Sequence, residues 1–187
     1  MSDAQTSEDV STKRLKVAER AKREPEARLL ALARLIDEEM LTEAYERIRN
    51  DAAVGVDGVK KEQWGKALLA NVQGLHERMK QGRYRHQPVR RVHIPKESGK
   101  TRPIGISCIE DKVVQNALTM VLEIIYEPVF LDCSYGFRPK RSAHDAIRRL
   151  SGVFREGNAN YIVEADIVSF FDSIDRKMLM EMLQQRV

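Results

Sequence analysis

The residues best suited to chemistry lie in YIVEADIVSFFDSID, from Tyr161 to Asp175. Tyr161 to Ile167 are rich in β-branched and aromatic side chains and follow the turn signal Gly157-Asn158, which predicts a strand. That strand ends on Asp166, and Phe170-Phe171-Asp172 then turn the chain into a helix starting near Asp175. A carboxylate at the end of an apolar strand is well placed to hold a divalent cation, with the Ile167 carbonyl as a second oxygen ligand. A lone Asp here reads first as an exposed strand end, so the upstream sequence decides.

Upstream, charge is concentrated. From His76 to Arg102 there are nine Lys/Arg against Glu77 and Glu97, a local charge of +7 in a chain of net charge +4. Arg90, Arg91, Lys96, Lys100 and Arg102 fall where the pattern becomes extended, and Tyr84 is interleaved among the cations. A run of this kind is the electrostatic footprint of a phosphate-bearing partner, or else a solvated basic face. A second basic feature is the loop Tyr135-Gly136-Phe137-Arg138-Pro139-Lys140-Arg141-Ser142. It leads into Ser142-Ala143-His144-Asp145, a capping pattern, so helix-start amides beside Arg138 and Arg141 form an anion site suited to a nucleic-acid backbone. The plainer alternative is a loop that only connects two helices.

These features need elements to hold them. Residues 1–25 mix charges with few apolar positions and end at Pro25, which predicts a mobile leader. Apolar residues at three- and four-residue spacing from Leu29 to Ile48 predict two short helices or one bent one. Gly55-Val56-Asp57-Gly58 is a turn, and Glu62 to Lys80 read as one amphipathic helix stopped by Gly82. Val89 to Ile94 and Thr101 to Ile106 read as a short basic β-hairpin that Pro88, Pro95 and Pro103 confine to edge pairing or bulges. Ser107 to Glu110 look like a capping box for a long buried helix ending near Tyr126, and a further helix runs from Ser142 to about Phe154. His144 is a cap or packing residue, without a second ligand at compatible spacing.

At 187 residues, with 42% hydrophobic and 32% charged, the chain fits one domain or one and a part. No apolar run approaches a membrane span, and MSDAQTSEDV is no signal peptide, so no membrane and a cytoplasmic location are expected. Cys108 and Cys133 read as reduced residues, since they lack metal-ligand spacing.

Four blocks in order carry a resemblance: Gly55-Val56-Asp57-Gly58; Ile94-Pro95-Lys96 with Gly99 to Ile106; Tyr135 to Pro139 with Ser142 to Ala146; and Ala165-Asp166-Ile167 with Phe170-Phe171-Asp172. Together they resemble the opening blocks of group II intron reverse transcriptase/maturases. The resemblance implies an α/β (α+β) right-hand polymerase, helix-rich with a basic hairpin: fingers over 26–160 and the start of a palm over 161–187. It implies RNA-directed DNA synthesis on an RNA template with a DNA primer and deoxynucleoside triphosphates. Asp166 matches the first metal-binding aspartate, Ile167 lends its carbonyl, and two Mg²⁺ about 4 Å apart assist in-line attack on the α-phosphate. Phe171 matches the steric gate against a ribose 2′-hydroxyl, with Phe170 facing the opposite way. Lys96 and Arg102 match the cations that clamp the triphosphate. Arg90, Arg91, Lys100 and Arg141 fall to template or intron RNA, with Gly136, Phe137, Arg138 and Pro139 along the template.

The sequence also departs from that pattern. Asn50-Asp51-Ala52-Ala53 stands where the family usually has Asn-Lys-Gly-Ala. The Tyr-Ala-Asp-Asp block is absent before Val187, so the expectation is an N-terminal piece, inactive alone, that pairs with a C-terminal half or self-associates through apolar residues such as Ile162 and Leu183. Two other classes stay open: an RNA-binding module without catalysis, and a diguanylate-cyclase-like palm, which shares the Asp-Ile-x-x-Phe strand end but leaves the basic hairpin unexplained.

Overall fold

The structure, a computed structural model, describes residues 3–95, 99, 101–157 and 161–187, with side-chain environments from residue 12 onward. The element order is α1 (Asp3–Arg23), α2 (Glu38–Glu46), α3 (Lys61–Gly65), α4 (Leu68–Lys80), β1 (Arg90–Pro95), β2 (Thr101–Ile106), α5 (Ile109–Tyr126), α6 (Ala143–Arg155), α7 (Phe170–Ser173) and α8 (Arg176–Gln184). Two 3₁₀ turns occur at Leu32–Leu35 and Glu127–Val129. The chain is therefore helix-rich, with one two-stranded antiparallel sheet among the described residues. It divides into two compact units, Met1–Lys16 with Ala31–Ile124, and Val17–Leu30 with Ile125–Val187.

The first unit owes its core to α2, α4 and α5. Met40, Leu41 and Ala44 of α2, Val72 and Leu75 of α4, and Ile109, Val113 and Ala117 of α5 are buried, each set at helical spacing. Asp37 caps α2, accepting the Met40 N–H at 2.9 Å. The single helix expected over Glu62 to Lys80 is broken into α3 and α4. Tyr45 stacks on Trp64 and donates its hydroxyl to the Lys61 carbonyl at 3.1 Å, and only a glycine at position 65 leaves room for that hydroxyl. Asn71 then donates to the Trp64 carbonyl at 2.7 Å, satisfying the end of α3. Lys61 is buried, and its ammonium donates to the carbonyls of Glu46 and Ile48 and to Asn50 Oδ1, closing the end of α2.

The leader read as mobile is helical. Arg14, Val17, Ala18 and Ala21 form a narrow, partly buried stripe at 3–4 spacing, and Arg14 reaches Glu43 at 2.9 Å. Counting charges hid that stripe, because two of its members are alanine. The expected Ser107 capping box is also displaced. Cys108 supplies the first helical carbonyl, to the Lys112 N–H, while Ser107 is buried and accepts from Gln115 at 3.1 Å.

Gly55 sits against the Cys108 backbone, where an added Cβ would come within 2.6 Å. Overpacking against backbone that cannot move away costs about 1–3 kcal/mol, so Gly55→Ala is expected to destabilise by that amount. Equilibrium urea unfolding with an unchanged slope checks it.

In the second unit α6 has both halves of its capping box: Ser142 Oγ accepts the Asp145 N–H at 3.3 Å and Asp145 accepts the Ser142 N–H at 2.9 Å. Asp175 caps α8, accepting from Lys177 and Met178 at 2.7 and 3.1 Å. Arg186 is buried and donates to the carbonyls of Glu24 and Ala27 at 2.9 and 3.1 Å. Tyr161 to Ile167 are not a strand. A strand is defined by its partner, no described residue pairs with this segment, and its side chains are exposed.

Candidate nucleic-acid interface and catalytic carboxylate

The hairpin forms as its alternation predicts, in the register Arg90↔Ile106, Arg91↔Gly105, Val92↔Ile104, His93↔Pro103, Ile94↔Arg102 and Pro95↔Thr101. Because side chains alternate across a strand, Arg90 and Arg102 share one face with Val92, Ile94 and Ile104, while Arg91 and His93 take the other. Nearly every hairpin side chain is exposed, the three arginines included. Arg90 uses its Nε to donate to the Val54 carbonyl at 3.0 Å. Lys96 and Lys100 lie outside the described residues. Not all of the basic run is free, however: Arg78 makes a two-pronged pair with Glu110 at 2.9 and 2.7 Å.

The Tyr135–Ser142 loop is arranged differently from its sequence reading. Arg138 does not point outward. Its side chain is 5% exposed, it pairs with Glu127 at 2.8 Å, and it donates to the carbonyls of Leu131 and Ser134 at 2.8 and 2.9 Å. A guanidinium carries its donors in a rigid fork, and here that fork is spent holding the loop, so the Arg138 side chain braces the loop and does not point outward as the sequence reading expected. Arg141 is likewise engaged, by Asp132 at 3.1 Å and over the Tyr135 ring at 5.4 Å. What the loop presents instead is Phe137, fully exposed at φ +56°, with Gly136, Pro139 and Lys140 exposed around it. A bulky residue in the left-handed region is strained, and the Arg138 brace holds it there.

Hydrogen bonding to Arg138 holds the Glu127 carboxyl below the usual carboxylate range. A carboxyl depressed in the folded state contributes stability above its unfolded pKa, and that contribution is lost as pH falls through the folded value. Glu127→Gln should therefore destabilise the chain near neutral pH. The difference from wild type should shrink as pH falls below about 4, which parallel thermal melts across pH test.

Asp166 is exposed, as is Ile167. Phe170 and Phe171 do not face opposite ways: both lie in the short helix α7, with ring centroids 5.3 Å apart. Successive helical residues are about 100° apart, not 180°. Phe171 is the more open, 76% exposed against 48% for Phe170.

The reverse transcriptase (RNA-dependent DNA polymerase) family matches residues 94–186, which include both β2 and Asp166. Protein YkfC of Escherichia coli is 37% identical over 185 residues, covering 95% of this chain and 49% of that protein. The group II intron-encoded protein LtrA of Lactococcus lactis is 37% identical over 145 residues, 77% of this chain and 24% of its own length. Nuclear intron maturase 1 of Arabidopsis thaliana is 35% identical over 94 residues, covering 48% and 13%. The chain belongs to the group II intron reverse transcriptase/maturase family. It spans about half the length of the first of these relatives and about a quarter of the second.

Reverse transcriptases use divalent metal ions, and a site for them needs several oxygen ligands. Among the described residues no group of three or more His, Cys, Asp or Glu is placed to hold one. Asp166 and the Ile167 carbonyl thus do not fit a complete metal centre; they can supply one corner of it. No helix among the described residues is long and apolar enough to cross a membrane.

The pairing of Tyr84 with Asp111 was not legible in the sequence. Tyr84, read as an aromatic among phosphate-binding cations, donates its hydroxyl to Asp111 at 2.5 Å. Burial, and then that hydrogen bond, push its pKa well above the ordinary tyrosine value. The available signal was the acidic pair Glu110-Asp111 opening an otherwise apolar helix, opposite a run of cations.

Proposed function

We propose that this chain forms the fingers and the beginning of the palm of an RNA-directed DNA polymerase of the group II intron kind. The observation that carries the reading is the match over residues 94–186, which takes in the end of β1, the whole of β2 with Arg102, and the Asp166 segment in one family pattern. Arg90, Arg91 and Arg102 contact the phosphates of an intron RNA template or of the incoming deoxynucleotide, Arg102 as the triphosphate clamp. Lys96 and Lys100, which the sequence places between the two strands, join them. Asp166, with the Ile167 carbonyl, contributes one carboxylate to a Mg²⁺ site whose other ligands these residues do not include. The DNA primer and the remaining palm complete the polymerase, either in one longer chain or in a complementing one. Binding of intron RNA without catalysis is the second reading, supported by the exposed arginines of the hairpin.

Phe171 is the proposed steric gate, since its ring is open and lies five residues beyond Asp166. In the polymerase completed by its missing palm segment, Phe171→Ala is expected to raise the ribo- to deoxyribonucleotide efficiency ratio about tenfold or more, because a gate rejects by clash. Phe170→Ala, half exposed, should leave that ratio unchanged. Single-nucleotide incorporation on an RNA template with each sugar measures both, and an unchanged ratio in a folded Phe171→Ala enzyme removes the gate.

A further inference from the structure

The hairpin has almost no buried side chain, so its direction is set at its root and not by a core. The root is built on the first turns of α5. Chain leaving β2 passes through buried Ser107 and Cys108 directly into that helix. Chain entering β1 passes Tyr84 and Gln87, and both are held by one carboxylate: Asp111, which is 1% exposed. Asp111 accepts the Tyr84 hydroxyl at 2.5 Å and the Gln87 N–H at 3.2 Å, and His86 Nε2 lies 3.9 Å away. One turn of helix supplies two further ties, Glu110 to Arg78 at the end of α4 and Lys112 to the Ala53 carbonyl.

We infer that Asp111 and Tyr84 form a clasp that aims the basic hairpin at its nucleic-acid partner, making both positioning residues for phosphate recognition. The inference rests on the proposed reading of the hairpin as a phosphate contact. A buried carboxylate with two donors from one incoming segment fixes that segment in position and in rotation, which a single bond cannot do. The hairpin acts as a lever: strands of six residues reach about 20 Å at roughly 3.3 Å per residue. Tilting the root by about 15° therefore moves the tip by about 5 Å, by the same strand geometry, enough to take an arginine out of reach of the phosphate it serves.

Tyr84→Phe removes one oxygen, keeps the ring, and leaves Asp111 its Gln87 bond. Binding of this chain to an RNA oligonucleotide annealed to a DNA primer is measured by fluorescence anisotropy across salt concentrations, well below each variant's melting temperature. The expected result is a loss of affinity of about fivefold to tenfold with a salt slope flattened by roughly one unit, as when a phosphate contact is lost. Asp111→Asn should do the same or more. A clasp that serves stability alone would lower the melting temperature and leave affinity and slope as in wild type, and that result overturns the inference. Arg91→Gln with Arg102→Gln is the parallel arm. If that double variant binds like wild type, the hairpin reading itself fails. If it weakens binding while folded Tyr84→Phe does not, only the clasp fails.

Discussion

Asp166→Asn is expected to abolish template-directed DNA synthesis by the completed polymerase, by about 10²- to 10³-fold or more, the scale on which losing one preorganised electrostatic group is felt. RNA affinity should stay within about twofold, because a single exposed carboxylate adds nothing to phosphate binding. The amide keeps the shape of the side chain and one oxygen but loses the charge a divalent cation requires. Folding is not at risk: Asp166 is exposed, and exposed substitutions usually stay within about 0.5 kcal/mol. Glu164, an exposed carboxylate two residues earlier, is the internal comparison, and Glu164→Gln should leave synthesis unchanged. Primer extension on an RNA template, with the remaining palm supplied, reads both. Equal loss in the two variants would mean that segment 161–168 matters for its fold. Full activity in Asp166→Asn would remove it from the active site.

What the sequence made legible follows from how local each signal is. The hairpin and the caps at Ser142 and Asp175 are set within a few residues, by alternation or by a side chain reaching its own backbone. Tyr161 to Ile167 has strand composition, yet composition cannot supply a partner, and the segment stays unpaired among the described residues. The break between α3 and α4 depends on Tyr45, twenty residues away from Gly65, and no window of helical spacing contains both. Arg138 shows the same limit at the site. Three cations in one loop predict an anion surface, but Glu127 lies eleven residues upstream and withdraws one of them. Tyr84 and Asp111 are further apart still, so a part-buried hydroxyl-carboxylate pair looked like two unrelated residues.

Affinity of the chain for RNA is expected to fall about 10²-fold between 50 and 200 mM salt. The magnitude follows from counting the cations left available. Of the basic run, Arg78 is spent on Glu110, Arg85 donates to the carbonyls of Gly82 and Tyr84, and Lys80 and Arg83 lie ahead of the hairpin and are not counted among its contacts. Arg90, Arg91 and Arg102 stand exposed on the hairpin, with Lys96 and Lys100 in its turn by sequence. Four or five neutralised phosphates give a log–log slope of about −3 to −4, since each contributes roughly −0.7 on a single strand and −0.9 on a duplex. A fourfold rise in salt then weakens binding by about two decades. Net charge alone does not give this figure: at +4 for the whole chain, a diffuse surface would be screened gradually over a Debye length of about 10 Å. The face-sharing of Arg90 and Arg102 makes a second expectation. Arg102→Gln should flatten the slope by just under one unit and weaken all RNA sequences alike, because phosphate contacts position without reading bases. Titrations of two unrelated RNA sequences at four salt concentrations decide it. A slope near zero would leave the hairpin as a solvated basic face, and a slope of the expected size that Arg102→Gln does not change would move the phosphate contacts elsewhere on the chain.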